Sequence, residues 1–232
     1  MRVAIFSDVH GNVRALEAVL AEVRTRGPFD QVINGGDLAF GGPRPSEAMD
    51  LLIRGAYPTV LGNTDVWIAG IEEGGGTVAA WARRQLRAEH EEFLRRLPTS
   101  HRIEPPGGPP LVVVHATPTS LSDVLDPEAP SEAVAALFAQ ARTRALVYGH
   151  IHRAYVRDVA DGLVVNTGSV GFPFDGVPQP SFAICELVRG RWAAEIIRVT
   201  YDHEAVAEEL AAGAHPDGAT FARRIRAARV SV

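Results

Sequence analysis

The sequence predicts an α/β protein, with mixed β-sheets and helices packed outside them in one domain. Three observations carry this. Short β-branched runs recur along the first 170 residues, a segment with helical periodicity separates the first two, and the texture changes after Gly171 to strands joined by a tight turn. The runs are VAIF (Val3 to Phe6), QVIN before Gly35, PTVL before Gly62, LVVV before His115, ALVY before Gly149 and LVVN before Thr167. Each is short, apolar and ends close to a Gly, Asp or His, which reads as a buried strand.

The helices follow from spacing. After the first run, Val13, Leu16, Val19, Leu20 and Val23 share one helical face, and Asn12 stands where an N-cap belongs. A second helix is expected over Ser46–Arg54, a longer one over Thr77–Arg96 ending at Leu97-Pro98, and another over Glu132–Arg142. HRIE, the PPGGPP turn (Pro105 to Pro110) and LVVV predict one hairpin. FAICELV and WAAEIIRV, joined by Arg189-Gly190-Arg191, predict a second. The last thirty residues are rich in Ala and Arg and broken near Gly213 to Gly218. They are expected as a helical extension, about 203–232, on a single domain spanning 1–232.

Composition narrows the chemistry. The chain has 232 residues, 46% hydrophobic and 22% charged, and a formal net charge of −5. All 23 basic residues are Arg, which excludes a Lys Schiff base and a P-loop lysine. One cysteine, Cys185 in the apolar run SFAICEL, excludes an internal disulfide and a thiolate metal cluster, and reads as a core residue. The N-terminal apolar stretch is too short for a signal peptide, and no run approaches the ~20 apolar residues of a membrane span. A cytoplasmic setting without membrane association is therefore expected. Arg is scattered rather than clustered, so no specific nucleic-acid binding is expected, and a homo-oligomer is left open.

The strand ends carry the chemistry. VAIFS runs into Asp8-Val9-His10, QVINGG into Asp37, PTVLG into Asn63, LVVV into His115 and ALVYG into His150-Ile151-His152. Ligands of α/β folds gather at the carboxyl ends of strands, so seven side chains from five strand ends are expected to converge. Asp8 and His10, like His150 and His152, are two residues apart, a spacing that extended backbone would put on one side. Taken singly, an Asp-x-His is more often a cap and a Gly-Asn a turn; the conjunction of five points to a metal site. Seven oxygen and nitrogen donors exceed one tetrahedral ion and suit two ions sharing a carboxylate, with Mn, Fe or Zn favoured over Mg or Ca. Paired ions of this kind suit phosphoester hydrolysis.

The ordered set DVH, GGD, GN, H and GHIH resembles the calcineurin-like metallophosphoesterase superfamily. The stretches SDVHGN, VLGNTD, LVYGHIH and VVNTGSVGFPFDG are similar to its small bacterial phosphodiesterase branch. The resemblance implies a four-layer α/β/β/α sandwich. It also implies one metal on Asp8, His10 and His152, a second on Asn63, His115 and His150, and Asp37 bridging both. A hydroxide between the ions would attack phosphorus, with Asn63 and His115 flanking the phosphate of a small or nucleotide-like ester. Many relatives carry a His after the Gly-Asn to protonate the leaving group. Here Thr64 stands there, so protonation through water or Asp65 is expected, or substrates with good leaving groups. Phe174 stands where several relatives have an Arg, leaving Arg44 and Arg153 as weaker candidates for a phosphate clamp. The alternatives are hydrolysis of dinucleoside polyphosphates or phosphomonoesters, and a non-catalytic scaffold such as the retromer subunit of this fold. Of the remaining histidines, His90 is expected on a solvated helix face, and His101, His203 and His215 in loops or turns. Trp67 and Trp81 are expected as core.

Overall fold

The structure, a computed structural model, describes residues 1–159 and 161–230. Its elements in chain order are β1 (Arg2–Phe6), α1 (Val13–Arg26), β2 (Gln31–Asn34), α2 (Pro45–Gly55), α3 (Asn63–Ile68), α4 (Gly76–Gln85), α5 (Ala88–Arg95), β3 (Ser100–Ile103) and β4 (Leu111–Val114). There follow α6 (Ser131–Ala141), β5 (Ala145–Tyr148), β6 (Tyr155–Val159), β7 (Gly162–Asn166), β8 (Ser181–Val188), β9 (Arg191–Arg198), α7 (His203–Ala212) and α8 (Gly218–Ala227).

Alternation along the strands sets the layers, because successive side chains point to opposite faces of a sheet. Ala4 and Phe6 of β1 face α1 and α2, while Val3 and Ile5 face the other way, against Val113 of β4 and Val147 of β5. Val112, Val114, Leu146 and Tyr148 then face Val134 and Phe138 of α6. The result is a four-layer α/β/β/α sandwich. One sheet has the order β2-β1-β8-β9 and the other β3-β4-β5-β7-β6. Both are mixed: β1 pairs parallel with β2 and antiparallel with β8, and β4 pairs parallel with β5 and antiparallel with β3. Cys185 lies buried between the sheets, where desolvation pushes its thiol up to about 12.

Several local expectations change. PTVL is not a strand: only Thr59 bridges Asn34, since Pro58 has no N–H to extend the ladder. The long helix is two. Leu86 and Arg87 are extended, and the His90 ring accepts the Arg87 N–H at 3.4 Å to start α5. His90 is therefore fully buried, contacting Asp50 at 3.0 Å, and not on a solvated face. His101 is on β3 and His203 opens α7, whereas His215 is in the turn between α7 and α8. The polar edge strand β6 and the short helix α3 carry no periodicity long enough to announce them. Asn12 caps α1 as expected, accepting the Ala15 N–H at 3.2 Å. Helices α7 and α8 pack on each other through Val206, Leu210, Phe221 and Ile225, and against Val78 and Phe172 of the main body. No helix among the described residues is long and apolar enough to cross a membrane.

Candidate metal centre

The seven residues meet at one edge of the sandwich: Asp8 and His10 follow β1, Asp37 follows β2, His115 follows β4, and His150 and His152 follow β5, while Asn63 opens α3 rather than closing a strand. Asp8, His10, Asp37, Asn63, His115 and His152 are buried, and His150 is half-buried, which marks the open side. The backbone does this in an unusual way. Asp8, His10, Asp37, His150 and His152 all have positive φ, between 52° and 63°. That left-handed region is disfavoured for residues with a Cβ and gathers at functional sites. So Asp8 and His10 share a side through two left-handed residues, not through extended backbone. Gly36 (φ +96°) makes room beside them: a Cβ there would stand 2.8 Å from Gly62 N and 3.0 Å from His115 Nδ1.

Each histidine has one ring nitrogen tied to a backbone carbonyl. Nδ1–H of His10 donates to Phe40 O (2.8 Å), that of His115 to Gly35 O (2.9 Å) and that of His152 to Phe172 O (2.5 Å). His150 is turned over, with Nε2–H donating to Ser122 O at 3.1 Å. Such bonds fix the tautomer and leave the other nitrogen as a bare lone pair. Those lone pairs then face acceptors. His10 Nε2 and His152 Nε2 are 3.1 Å apart, and Asn63 Oδ1 lies 2.9 Å from His115 Nε2 and 3.0 Å from His150 Nδ1. Acceptors this close repel unless a cation stands among them. The donor set, imidazole with carboxylate and amide oxygen, fits divalent metal ions.

The carboxylates divide the cluster into halves. Asp8 Oδ1 is 3.1 Å from His152 Nε2 and 3.8 Å from His10 Nε2. Asp37 turns Oδ2 toward His10 (3.6 Å) and Oδ1 toward His115 (3.5 Å), so one carboxylate faces both halves. Burial works to raise the Asp8 carboxyl, but the surrounding imidazoles, His152 foremost, outweigh it and hold Asp8 below the usual range. Burial pulls His10 down to about 4 and lowers His150, which keeps both neutral. Neutral imidazole and ionised carboxylate are the states that bind a metal.

Asp65 is fully buried in the first turn of α3. Its Oδ2 accepts the N–H groups of Asp37 and Gly62, and its Oδ1 that of Leu38, all at 2.9 Å. Burial, then the charge of Asp37, pushes its carboxyl up to about 7. That value suits a general acid, but geometry comes first, and both oxygens are turned into the protein. The hydroxyl of Thr64 is also buried, without a partner among the described residues, while Thr64 N–H donates to Asp37 Oδ1. Phe174 stacks on the His152 ring at 4.5 Å and 13°. Arg44 is committed elsewhere, to Glu209 of α7 at 2.5 and 3.2 Å. Arg153 is exposed. The residues that the sequence did not reveal are Gly35, Phe40, Ser122 and Phe172. They act through backbone carbonyls, which any residue supplies, so no side-chain signal exists for them.

A four-layer sandwich with such a donor cluster at its strand ends defines a metal-binding phosphoesterase fold. The model of the calcineurin-like phosphoesterase superfamily domain matches residues 1–190, and the chain belongs to that superfamily. It is similar to a metallophosphoesterase from Sphaerobacter thermophilus, with 29% identity and a TM-score of 0.77 over 98% of this chain and 99% of that one. The hypothetical protein PH1004 from Pyrococcus horikoshii shares the fold, with a TM-score of 0.79 and 20% identity over 93% and 94% of the two chains. The uncharacterized protein MJ0912 of Methanocaldococcus jannaschii is 26% identical over 93% of this chain and 94% of its own.

Proposed function

We propose that the chain is a two-metal phosphodiesterase acting on small or nucleotide-like phosphoesters. The observation that supports this most is the shared Asp37, one oxygen toward each group of lone pairs. Asp8, His10 and His152 would hold one ion and Asn63, His115 and His150 the other, with Asp37 placed to serve both. Bound there, two divalent cations of the Mn, Fe or Zn kind would make a water nucleophilic at neutral pH and offset phosphoryl charge. The chain's own work is to hold both ion sites rigid. Four backbone carbonyls aim the imidazoles, and Asp65 clamps the Asp37 and Asn63 segments together rather than delivering a proton. Asn63 and His115 would flank the substrate phosphate. With Thr64 in place of a proton donor and Asp65 turned inward, the leaving group departs with help only from water, which favours diesters with good leaving groups. Completeness of the donor set separates this reading from a scaffold of the same fold, which has no need of seven converging donors. A reducing cytoplasmic setting suits a chain with one buried thiol.

The test strips the full chain with EDTA and restores Mn, Fe, Zn or Mg separately. Turnover of bis-p-nitrophenyl phosphate is expected to exceed that of p-nitrophenyl phosphate, with two ions bound per chain. No turnover of either ester with any ion, and less than one ion per chain, would leave the scaffold reading. A preference for the monoester, or for a dinucleoside polyphosphate offered in parallel, would move the substrate class instead.

A further inference from the structure

The C-terminal helices lie beyond residues 1–190, the span matched by the superfamily domain, yet they pack against one half of the metal centre and, among the described residues, not the other. The link is Phe221 on α8, itself buried. Its ring stands 6.4 Å from the Phe40 ring and 5.5 Å from the Phe172 ring, both edge to face. Phe40 and Phe172 are the two residues whose carbonyls hold His10 and His152. Their rings also flank the His10 imidazole, at 6.4 and 5.7 Å.

The contact with Phe221 is tight. Gly41, next to Phe40, has φ +93°, and a Cβ there would fall 2.6 Å from the Phe221 ring. Two further ties hold the same segments. Arg44 pairs with Glu209 of α7, and Gly176 N–H donates to Ala228 O at the end of α8 (3.0 Å). On the other half, the orienting carbonyls are Gly35 and Ser122. Gly35 N–H donates to Phe6 O (2.8 Å), and the Ser122 and Asp123 N–H groups donate to Ser120 Oγ (3.2 and 3.1 Å). Among the described residues, no hydrogen bond or ring contact joins α7 or α8 to either of them.

We propose that Phe221 is a positioning residue for the Asp8–His10–His152 half alone: it fixes the two carbonyls that orient both imidazoles there. This rests on the two-ion reading above. Loss of an orienting partner typically weakens a metal site 10–100-fold. A ring that supports two such partners at once is therefore expected to make the affinities of the two halves unequal when it is cut back.

The experiment titrates Mn²⁺ into the stripped full chain by calorimetry and electron paramagnetic resonance, in two backgrounds. Asn63→Ala leaves the Asp8–His10–His152 half, and His10→Ala leaves the other. Adding Phe221→Ala is expected to weaken Mn²⁺ by about 10–100-fold in the first. In the second the change is expected to stay within about twofold, as for independent sites. Phe221→Leu, which keeps most of the packing and secures a folded protein, is expected to give the same asymmetry at smaller size. Phe138→Ala, a buried ring in the sheet–α6 layer, is the control: it lowers the melting temperature and leaves both affinities alike. Equal weakening in both backgrounds, or none in either, overturns the proposal. A wild-type chain that binds fewer than two Mn²⁺ overturns the two-ion reading first, and the proposal with it.

Discussion

Asp65→Asn separates a clamp from a proton donor. The substitution preserves shape, and its carbonyl can take the place of Oδ2, keeping the bonds from Asp37 and Gly62. Its amide then faces the Leu38 N–H, donor against donor, where Oδ1 had accepted at 2.9 Å. One buried donor left unpaired costs about 1–3 kcal/mol. At about 2–4 °C per kcal/mol for a chain of this length, the melting temperature should fall by roughly 2–12 °C. In the metal-free protein, relief of the repulsion between Asp65 and Asp37 offsets part of that loss. With Mn²⁺ bound, the charge of Asp37 is already compensated and the full loss shows. Asp65→Ala strands three donors, about 3–9 kcal/mol at the upper bound, which approaches the ~5–15 kcal/mol of a whole domain. The assay is thermal unfolding by circular dichroism, with EDTA and with Mn²⁺, beside turnover of a p-nitrophenyl and an alkyl diester. A clamp lowers both rates in step with stability. An unchanged melting temperature, with loss confined to the alkyl ester, would refute the clamp and restore Asp65 as the acid.

Three further outcomes are expected. Removing metal with EDTA should lower the melting temperature, because facing lone pairs then repel. Free Mn²⁺ at a hundred times its dissociation constant should restore about 2.7 kcal/mol per ion, and a melting temperature indifferent to both sinks the metal reading. Burial between Trp81 and Phe221 lowers the His215 pKa, so the unfolded chain binds more protons once pH drops below about 6.5. Stability is therefore full above that pH and declines below it, by at most about 1.4 kcal/mol per pH unit from this group. His215→Gln should flatten the decline between pH 6.5 and 5.5, and an unchanged slope clears His215 of the effect. Thr64→His should raise the alkyl-to-p-nitrophenyl rate ratio by about 10²-fold or more, the range of general acid catalysis. A ratio that stays put means the missing imidazole does not set substrate preference.

What the sequence disclosed, and what it hid, follows one physical division. Buried parallel strands and an amphipathic helix announce themselves, because burial selects β-branched runs and one-sided spacing; β1, β4, β5, β7 and α1 were legible for that reason. Local capping decides the rest. One His90 ring and two extended residues split the helix over Thr77–Arg96, and a helical pattern carries no record of such a break. His90 looked solvated because Arg87, Glu89, Glu91 and Glu92 surround it in sequence, yet the Asp50 carboxylate of α2 makes a satisfied buried site for it. The metal-centre candidates were legible as a set, since the side chains that bind metals are few. Their geometry was not. Five of the seven lie in left-handed backbone, which is costly for any residue with a Cβ and which a run of apolar residues ending in Asp or His does not announce. Surrounding structure must hold them there, and much of it acts through backbone groups: the Phe40 and Phe172 carbonyls, and the N–H groups of Asp37, Leu38 and Gly62 gathered by Asp65. A site built this way depends on residues whose identity says nothing of their role. The ring contacts of Phe221 with Phe40 and Phe172 carry such a dependence, on the proposal above, to a residue outside every motif.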